Sequence, residues 1–121
     1  MRHAQLITYG LEDPTAEPLQ KLAQDLGVAL RVTRNAKSCL NLLRQGAAGV
    51  LLLRVGRHLE TEFSLLAQAT QQFPHVETIV WADADHPRLA GLAWDLGARA
   101  VSASGPDDEG LRDMIRRLLP E

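Results

Sequence analysis

The chain is short of several things, and each shortage narrows the field. It holds one cysteine, Cys39, in 121 residues. No internal disulfide can form, which suits a reducing compartment such as the cytoplasm. Cys39 falls on the apolar stripe of a helix pattern without a histidine or basic group placed to activate it, so it reads as a small core residue. No apolar run reaches the length of a membrane span. The opening Met1-Arg2-His3-Ala4-Gln5 lacks the apolar core and cleavage site of a secretory signal. There is no basic surplus either: the formal net charge is −2. Lys and Arg are scattered, with the densest run (Arg112, Arg116, Arg117) near the end. Direct readers of DNA or RNA ordinarily carry a clear cationic excess to neutralise phosphates, so direct nucleic-acid binding is not expected. A glycine-rich phosphate cradle is missing too. Gly46-Ala47-Ala48-Gly49 connects a helix to a strand, whereas phosphate loops connect a strand to a helix.

What is present is an ordinary globular composition, with 45% hydrophobic and 23% charged residues. Such a length fits a single domain spanning 1–121 and can bury a core without staples. Strand and helix patterns alternate five times. Leu6-Ile7-Thr8-Tyr9 reads as a first strand, broken by turn formers from Gly10 to Pro14. A helix follows with Leu19, Leu22, Ala23 and Leu26 at helical spacing, Gly27 as its cap and Pro18 expected in its first turn. Val28 to Thr33 alternates in polarity and reads as an edge strand. Asn35 can cap a second helix with Ala36, Cys39, Leu40 and Leu43 inside, ended by Gly46. Gly49-Val50-Leu51-Leu52-Leu53 is apolar on both faces, as a central parallel strand must be.

The third helix is expected from Leu59 to Phe73, with Leu59, Phe63, Leu66, Ala67 and Thr70 inward and Pro74 closing it. Thr78 to Ala82 is a fourth strand, with Trp81 expected in the core. Pro87 opens a fourth helix with Leu89, Leu92, Ala93 and Leu96 inside and Gly97 as its stop, and Asp85 can cap it. Ala98 to Ser102 is a short fifth strand. The last helix begins near Pro106, where Asp107, Asp108 and Glu109 suit the helix dipole. Its buried side is Leu111, Met114, Ile115 and Leu118, and Pro120 stops it. Successive strand–helix units imply right-handed crossovers and a doubly wound parallel sheet with helices on both faces. The expected class is α/β, flavodoxin-like, with five strands in the order 2-1-3-4-5 and five helices. Sites in such folds lie outside the carboxyl ends of the strands. The loops to search are therefore 10–14, 54–58, 82–87 and 103–106.

The second half resembles a bacterial response-regulator receiver domain of the CheY-like family. Phe73-Pro74 precedes the fourth strand, and Leu92 to Val101 is similar to the receiver's passage from helix four to strand five. Gly97-Ala98 is the most specific part, and Leu111 to Leu119 resembles the closing helix. The resemblance covers the whole chain in element order. It implies a signalling module, and it allows that module's chemistry to be checked position by position. Receivers carry an acidic pair after strand one; here those positions are Tyr9 and Gly10, with Glu12 and Asp13 a little later. The phosphate-accepting Asp matches Arg54. The Thr or Ser ending strand four matches Ala82, and the Lys ending strand five matches Ser104, or Ala103 with a slip of one. The joint change removes the carboxylate nucleophile, the oxygen ligands for a divalent ion and the cation that neutralises a phosphoryl group. The resemblance therefore implies a pseudo-receiver that is not an enzyme, holds no cofactor or metal and does not autophosphorylate.

Other candidates divide between sharp and plain readings. Arg54 either forms an internal ion pair with Glu12, Asp13 or Asp83 or is a solvated strand-end arginine. Asp83, Asp85, His86 and His58 match no metal-ligand spacing and are explained as strand-end and cap residues. Ser102 and Ser104 lack a nucleophile-elbow context. Trp94 is expected to be partly exposed. With Arg88, Asp95, Arg112, Asp113 and Arg116 it could populate the helix four–strand five–helix five face that receivers use for dimers and partner domains. The expected role is a regulatory domain acting by protein contact or homodimerisation, with an output domain possible beyond residue 121. The alternative is a flavodoxin-like domain binding a small ligand at the strand carboxyl ends.

Overall fold

A run of residues apolar on both faces needs cover on both faces, and the sheet is built around that requirement. A computed structural model describes residues 4–46, 48–83, 85 and 87–119. Ten elements alternate: β1 (Gln5–Tyr9), α1 (Asp13–Leu26), β2 (Ala29–Thr33), α2 (Ala36–Arg44), β3 (Ala48–Val55), α3 (Leu59–Gln72), β4 (Glu77–Ala82), α4 (Pro87–Asp95), β5 (Ala100–Ser102) and α5 (Glu109–Leu118). The strands lie in the order β2-β1-β3-β4-β5, every pairing parallel. β3 is central, and alternate residues feed opposite layers. Leu51 and Leu53 join Cys39, Leu43, Leu66, Ala69 and Ala93 of α2, α3 and α4. Val50 and Leu52 join Leu19, Leu22, Leu111 and Ile115 of α1 and α5. β2, at the edge, is the wettest strand, with only Thr33 buried. Burial of each such leucine contributes roughly 1.5–3 kcal/mol, so the two layers rather than any polar contact hold the sheet.

Local chemistry ends the helices where expected in several places. The Ser38 N–H donates to Asn35 Oδ1 at 2.8 Å, capping α2. Gly27 takes a left-handed φ of 69°, and its N–H and that of Val28 close the last turn of α1 on Gln24 and Ala23 carbonyls. Asp108 Oδ2 accepts from Leu111 N at 3.2 Å, so α5 starts at Glu109 rather than at Pro106. The acids before it supply the cap instead of the first turn.

Four expectations need correction. α1 begins at Asp13, because Pro14 suits the first helical positions, and Pro18 consequently lies inside the helix. Pro18 has no N–H to return to the Pro14 carbonyl four residues back. The inward face of α3 is Glu62, Leu65, Leu66 and Ala69, while Leu59 is 43% exposed. Glu62 is drawn inside by a hydrogen bond, described below, that apolar periodicity does not encode. On α4 Ala93 is the buried residue and Leu92 is 49% exposed, because the helix covers the margin of the sheet. Trp81 is only partly buried and packs at the fringe of the α1–α5 layer. The helix-stopping role of Pro120 and the capping of α4 around His86 fall outside the described residues.

Candidate functional site

The carboxyl ends of the strands bring together the loops singled out in the sequence. β1 ends at Tyr9 and turns at Gly10, whose φ is 84°. A Cβ there would meet the Arg54 carbonyl oxygen at 3.4 Å and Arg54 Cβ at 3.5 Å, so the first loop lies directly against the end of β3. β3 continues past Leu53 through Arg54, which is partly buried, to Val55, which returns to the core. Arg54 stands opposite Trp81 of β4, and Trp81 stands opposite Ser102 of β5.

This register sets up a stack. Arg54 Cζ lies 4.3 Å from the centroid of the Trp81 ring, within cation–π range. The benzo edge of the indole reaches the loop after β5. A Cβ on Gly105 would sit 2.5 Å from Trp81 Cζ2 and 2.7 Å from Cη2, so only glycine fits. Ser102 orders that loop: its hydroxyl donates to the Ser104 carbonyl at 2.7 Å and accepts from the Ser104 N–H at 3.1 Å. Ser104 is therefore a loop-shaping residue, and Ala82, at the end of β4, is buried.

A second arrangement lies beside the stack. Glu62 is 3% exposed, and its Oε1 accepts the Gly56 N–H at 2.8 Å. This ties the start of α3 to the turn after β3. Tyr9 is close by, and its phenol pKa is raised by burial, by the Glu62 charge and by Cys39, in that order. Cys39 is fully buried, and burial pushes its thiol up to about 11 against a weaker lowering by the Thr33 hydroxyl. Glu12 pairs with Arg57 at 3.1 Å across the mouth of a small cavity of about 240 Å³ that Tyr9, His58 and Glu62 also line. Both partners are half-exposed or more, so the pair is worth little, about 0–1 kcal/mol.

Among the described residues Arg54 makes no ion pair with Glu12 or Asp83. Glu12 goes to Arg57, Arg54 goes to the Trp81 ring, and Asp83 is exposed at the end of β4. The side chain of Asp13 lies outside the described set. An aromatic face satisfies the guanidinium because Trp81 is its cross-strand neighbour, whereas Glu12 is engaged by Arg57.

Of the six residues expected on one interaction face, Trp94, Arg88 and the pair Arg112 and Arg116 line three different clefts. Trp94 is 53% exposed, as expected, but it lines a cleft with Pro74, Glu77 and Arg99 at the amino-terminal end of the sheet. Arg88 lies at the other end of α4, beside Leu59 and Pro87. Asp95 is exposed at the last turn of α4. Arg112 and Arg116 line the cleft between α1 and α5, opposite Glu17 and Asp25. Arg112 donates to the Pro106 and Asp107 carbonyls at 2.9 Å, and Arg116 pairs with Asp113. Glu62 and Gly105 were not singled out by the sequence. A lone glutamate in a helix and a glycine beside a proline carry no signal until the fold shows what they touch.

No protein-family model and no curated protein matches the chain. Solved structures do. The chain is similar to a CheY-like protein, TadZ, of Pseudomonas aeruginosa PAO1, at 21% identity and TM-score 0.75, covering 95% of this chain and 98% of that one. It is similar to the signal receiver domain of an HD domain-containing protein of Pseudomonas fluorescens Pf-5, at 22% identity and TM-score 0.80, covering 97% and 94%. It also matches NtrX of Brucella abortus at 20% identity and TM-score 0.76, covering 98% of this chain and 27% of that one. Among the described residues no helix is long and apolar enough to cross a membrane. The strand order, the five covering helices and these likenesses together give the chain the CheY-like receiver fold.

Proposed function

We propose that the chain is a receiver-like regulatory domain of a signalling protein that works without aspartyl phosphorylation and acts by contact with a protein partner. The observation that carries this reading is the Arg54–Trp81 stack. The strand end that in receivers offers a carboxylate offers here a guanidinium engaged with an aromatic face. A guanidinium has no nucleophilic oxygen and repels a divalent cation. Tyr9 and Gly10 at the end of β1, Ala82 at the end of β4 and Ser104-Gly105-Pro106 after β5 support the same reading. Tyr9 and Gly10 bring no carboxylate to the end of β1, Ala82 brings no hydroxyl to the end of β4, and Ser104-Gly105-Pro106 brings no lysine after β5, the groups that acyl-phosphate chemistry needs at those places. The domain is read as non-catalytic on these grounds.

The test is incubation with acetyl phosphate and Mg²⁺, followed by intact-mass measurement. No phosphoryl adduct is expected. An Mg²⁺-dependent adduct on any Asp or Glu overturns the reading. Partner contact through the α4–β5–α5 face narrows to the α4 side, where Arg88, Trp94 and Asp95 are exposed. Light scattering over a concentration series, with Trp94→Ala beside the parent chain, separates self-association there from a role for another protein. The likeness to NtrX, of which this fold is 27%, supports a place beside an output domain in a longer polypeptide.

A further inference from the structure

We infer that the outer edge of β2, with the flank of α2 beside it, docks an extended acidic segment of a partner protein, which joins the sheet as a sixth strand. This inference does not depend on the state of the strand-three site. It rests on backbone, shape and charge at one place. Among the described residues β2 ends the sheet and pairs only with β1, so one side of its backbone has no strand partner there. Such an edge is a template for another strand. A groove of about 490 Å³ runs along it, lined by Leu30, Arg31, Val32 and Thr33 of β2 and by Asn41 and Leu42 of α2. Apolar and polar positions alternate there, as a strand with side chains on both faces requires.

The charge is of one sign. Between Asp25 and Glu60 the chain holds Arg31, Arg34, Lys37, Arg44, Arg54 and Arg57 and no acidic residue, although the whole chain is net −2. The fold leaves Arg31, Lys37 and Arg44 exposed on β2 and α2. Arg44 donates to Asn41 Oδ1 at 3.3 Å, which anchors it to a groove residue. No acidic side chain lines the groove among the described residues. A single edge cation serves to discourage self-pairing; here the cationic zone continues past the strand across α2.

The occupant follows from these features. A second copy is disfavoured, because Arg31 is the middle residue of β2 and two-fold pairing sets it against itself. Nucleic acid would use the cations but neither the free backbone edge nor the apolar positions Leu30, Val32 and Leu42. An extended peptide with acidic residues uses all three.

The experiment titrates the ¹⁵N-labelled chain with three probes: a short peptide alternating Glu with Val, its Lys–Val counterpart and a single-stranded oligothymidylate. The Glu peptide is expected to shift the Ala29–Thr33 amides and slow their hydrogen exchange, and the Lys peptide to do neither. Arg31→Glu combined with Lys37→Glu is expected to weaken the Glu peptide about tenfold or more, since like charges replace opposite ones. Thermal unfolding verifies that this variant stays folded, and Arg31→Gln carries the test if it does not. The inference is overturned by unchanged β2 exchange, by equal binding of the Lys peptide or by indifference to charge reversal. Tighter binding of the oligothymidylate through the same residues overturns it as well.

Discussion

Arg54 and Trp81 face each other across β3 and β4, and the guanidinium lies 4.3 Å above the indole ring. Both residues are partly buried, so the contact is partly shielded from water. Cation–π contacts range from about 0.5 kcal/mol exposed to about 2 kcal/mol desolvated, and about 1 kcal/mol is expected here. Arg54→Ala should therefore lower the melting temperature by roughly 3–6 °C for a domain of this size. Arg54→Lys should retain part of the loss. No change on Arg54→Ala means that the arginine is merely solvated.

Gly105 tests the other side of the same ring. A Cβ there would lie 2.5 Å from Trp81 Cζ2, so Gly105→Ala must displace either the loop or the indole. Overpacking of this kind costs about 1–3 kcal/mol. The loss should shrink when Trp81 is first replaced by Leu, because the obstructing atoms are gone. Chemical denaturation of the two single variants and the double variant measures that coupling, and strict additivity refutes the contact.

Glu62 is buried at the base of the turn after β3, where it accepts the Gly56 N–H. Glu62→Ala leaves that amide without its acceptor, and a loss of about 1–3 kcal/mol is expected. Glu62→Gln keeps an acceptor oxygen and should lose less. Hydrogen exchange at Gly56 provides a local readout, fast in the alanine variant and slow in the glutamine one.

Alkaline pH should weaken the fold through Cys39. Its thiol is raised from 9.0 to about 11 in the folded chain, chiefly by burial. Above pH 9 the unfolded chain releases this proton while the native chain keeps it, so the native state binds more protons and stability falls as pH rises. The contribution is intact below pH 9 and is lost progressively up to about pH 11. Tyr9, raised in the same direction, extends the decline. Urea unfolding across this range should show the slope, and Cys39→Ala should flatten its first part relative to the parent.

Replacing Asn35 by Ala removes the acceptor for Ser38 N at the start of α2. The expected cost is about 0.5–2 kcal/mol, with Asn35→Ser recovering most of it. Thermal unfolding of the three proteins side by side decides this, and equal melting temperatures would mean the cap is idle.

What could be read from the residues depended on how local the signal was. Leu51-Leu52-Leu53, Asn35 and Gly27 act within their own element, and they gave a central strand, a cap and a helix end correctly. The strand order followed from the parallel alternation. Pro18 lies outside its expected first turn because the Asp13-Pro14 start competes with it, and local sequence does not rank two prolines four positions apart. The face of α3 slipped because the Glu62 carboxylate is held by Gly56, a polar contact that apolar periodicity ignores. The partner of Arg54 could not be read at all. It depends on the register between β3 and β4, which sets Trp81 rather than a carboxylate beside it. Arg112 and Arg116 belong to a helix whose expected inner side holds, with Leu111 and Ile115 buried and Met114 and Leu118 partly so, yet its flank toward α1 is fixed only by the packing. The acid-free stretch from Asp25 to Glu60 is visible in the sequence, but its placement along an open strand is not.

The seclusion of Cys39 has a practical side. The chain's one thiol lies fully inside the α2 layer and stays protonated through neutral pH, so it offers no accessible thiolate to attack a maleimide. A cysteine introduced at Lys37 or Trp94 would then be the sole reactive position without any prior removal of the native one. Fluorophores or spin labels can be set on the β2–α2 edge and on α4 in turn, and the protein carries its own blank for both.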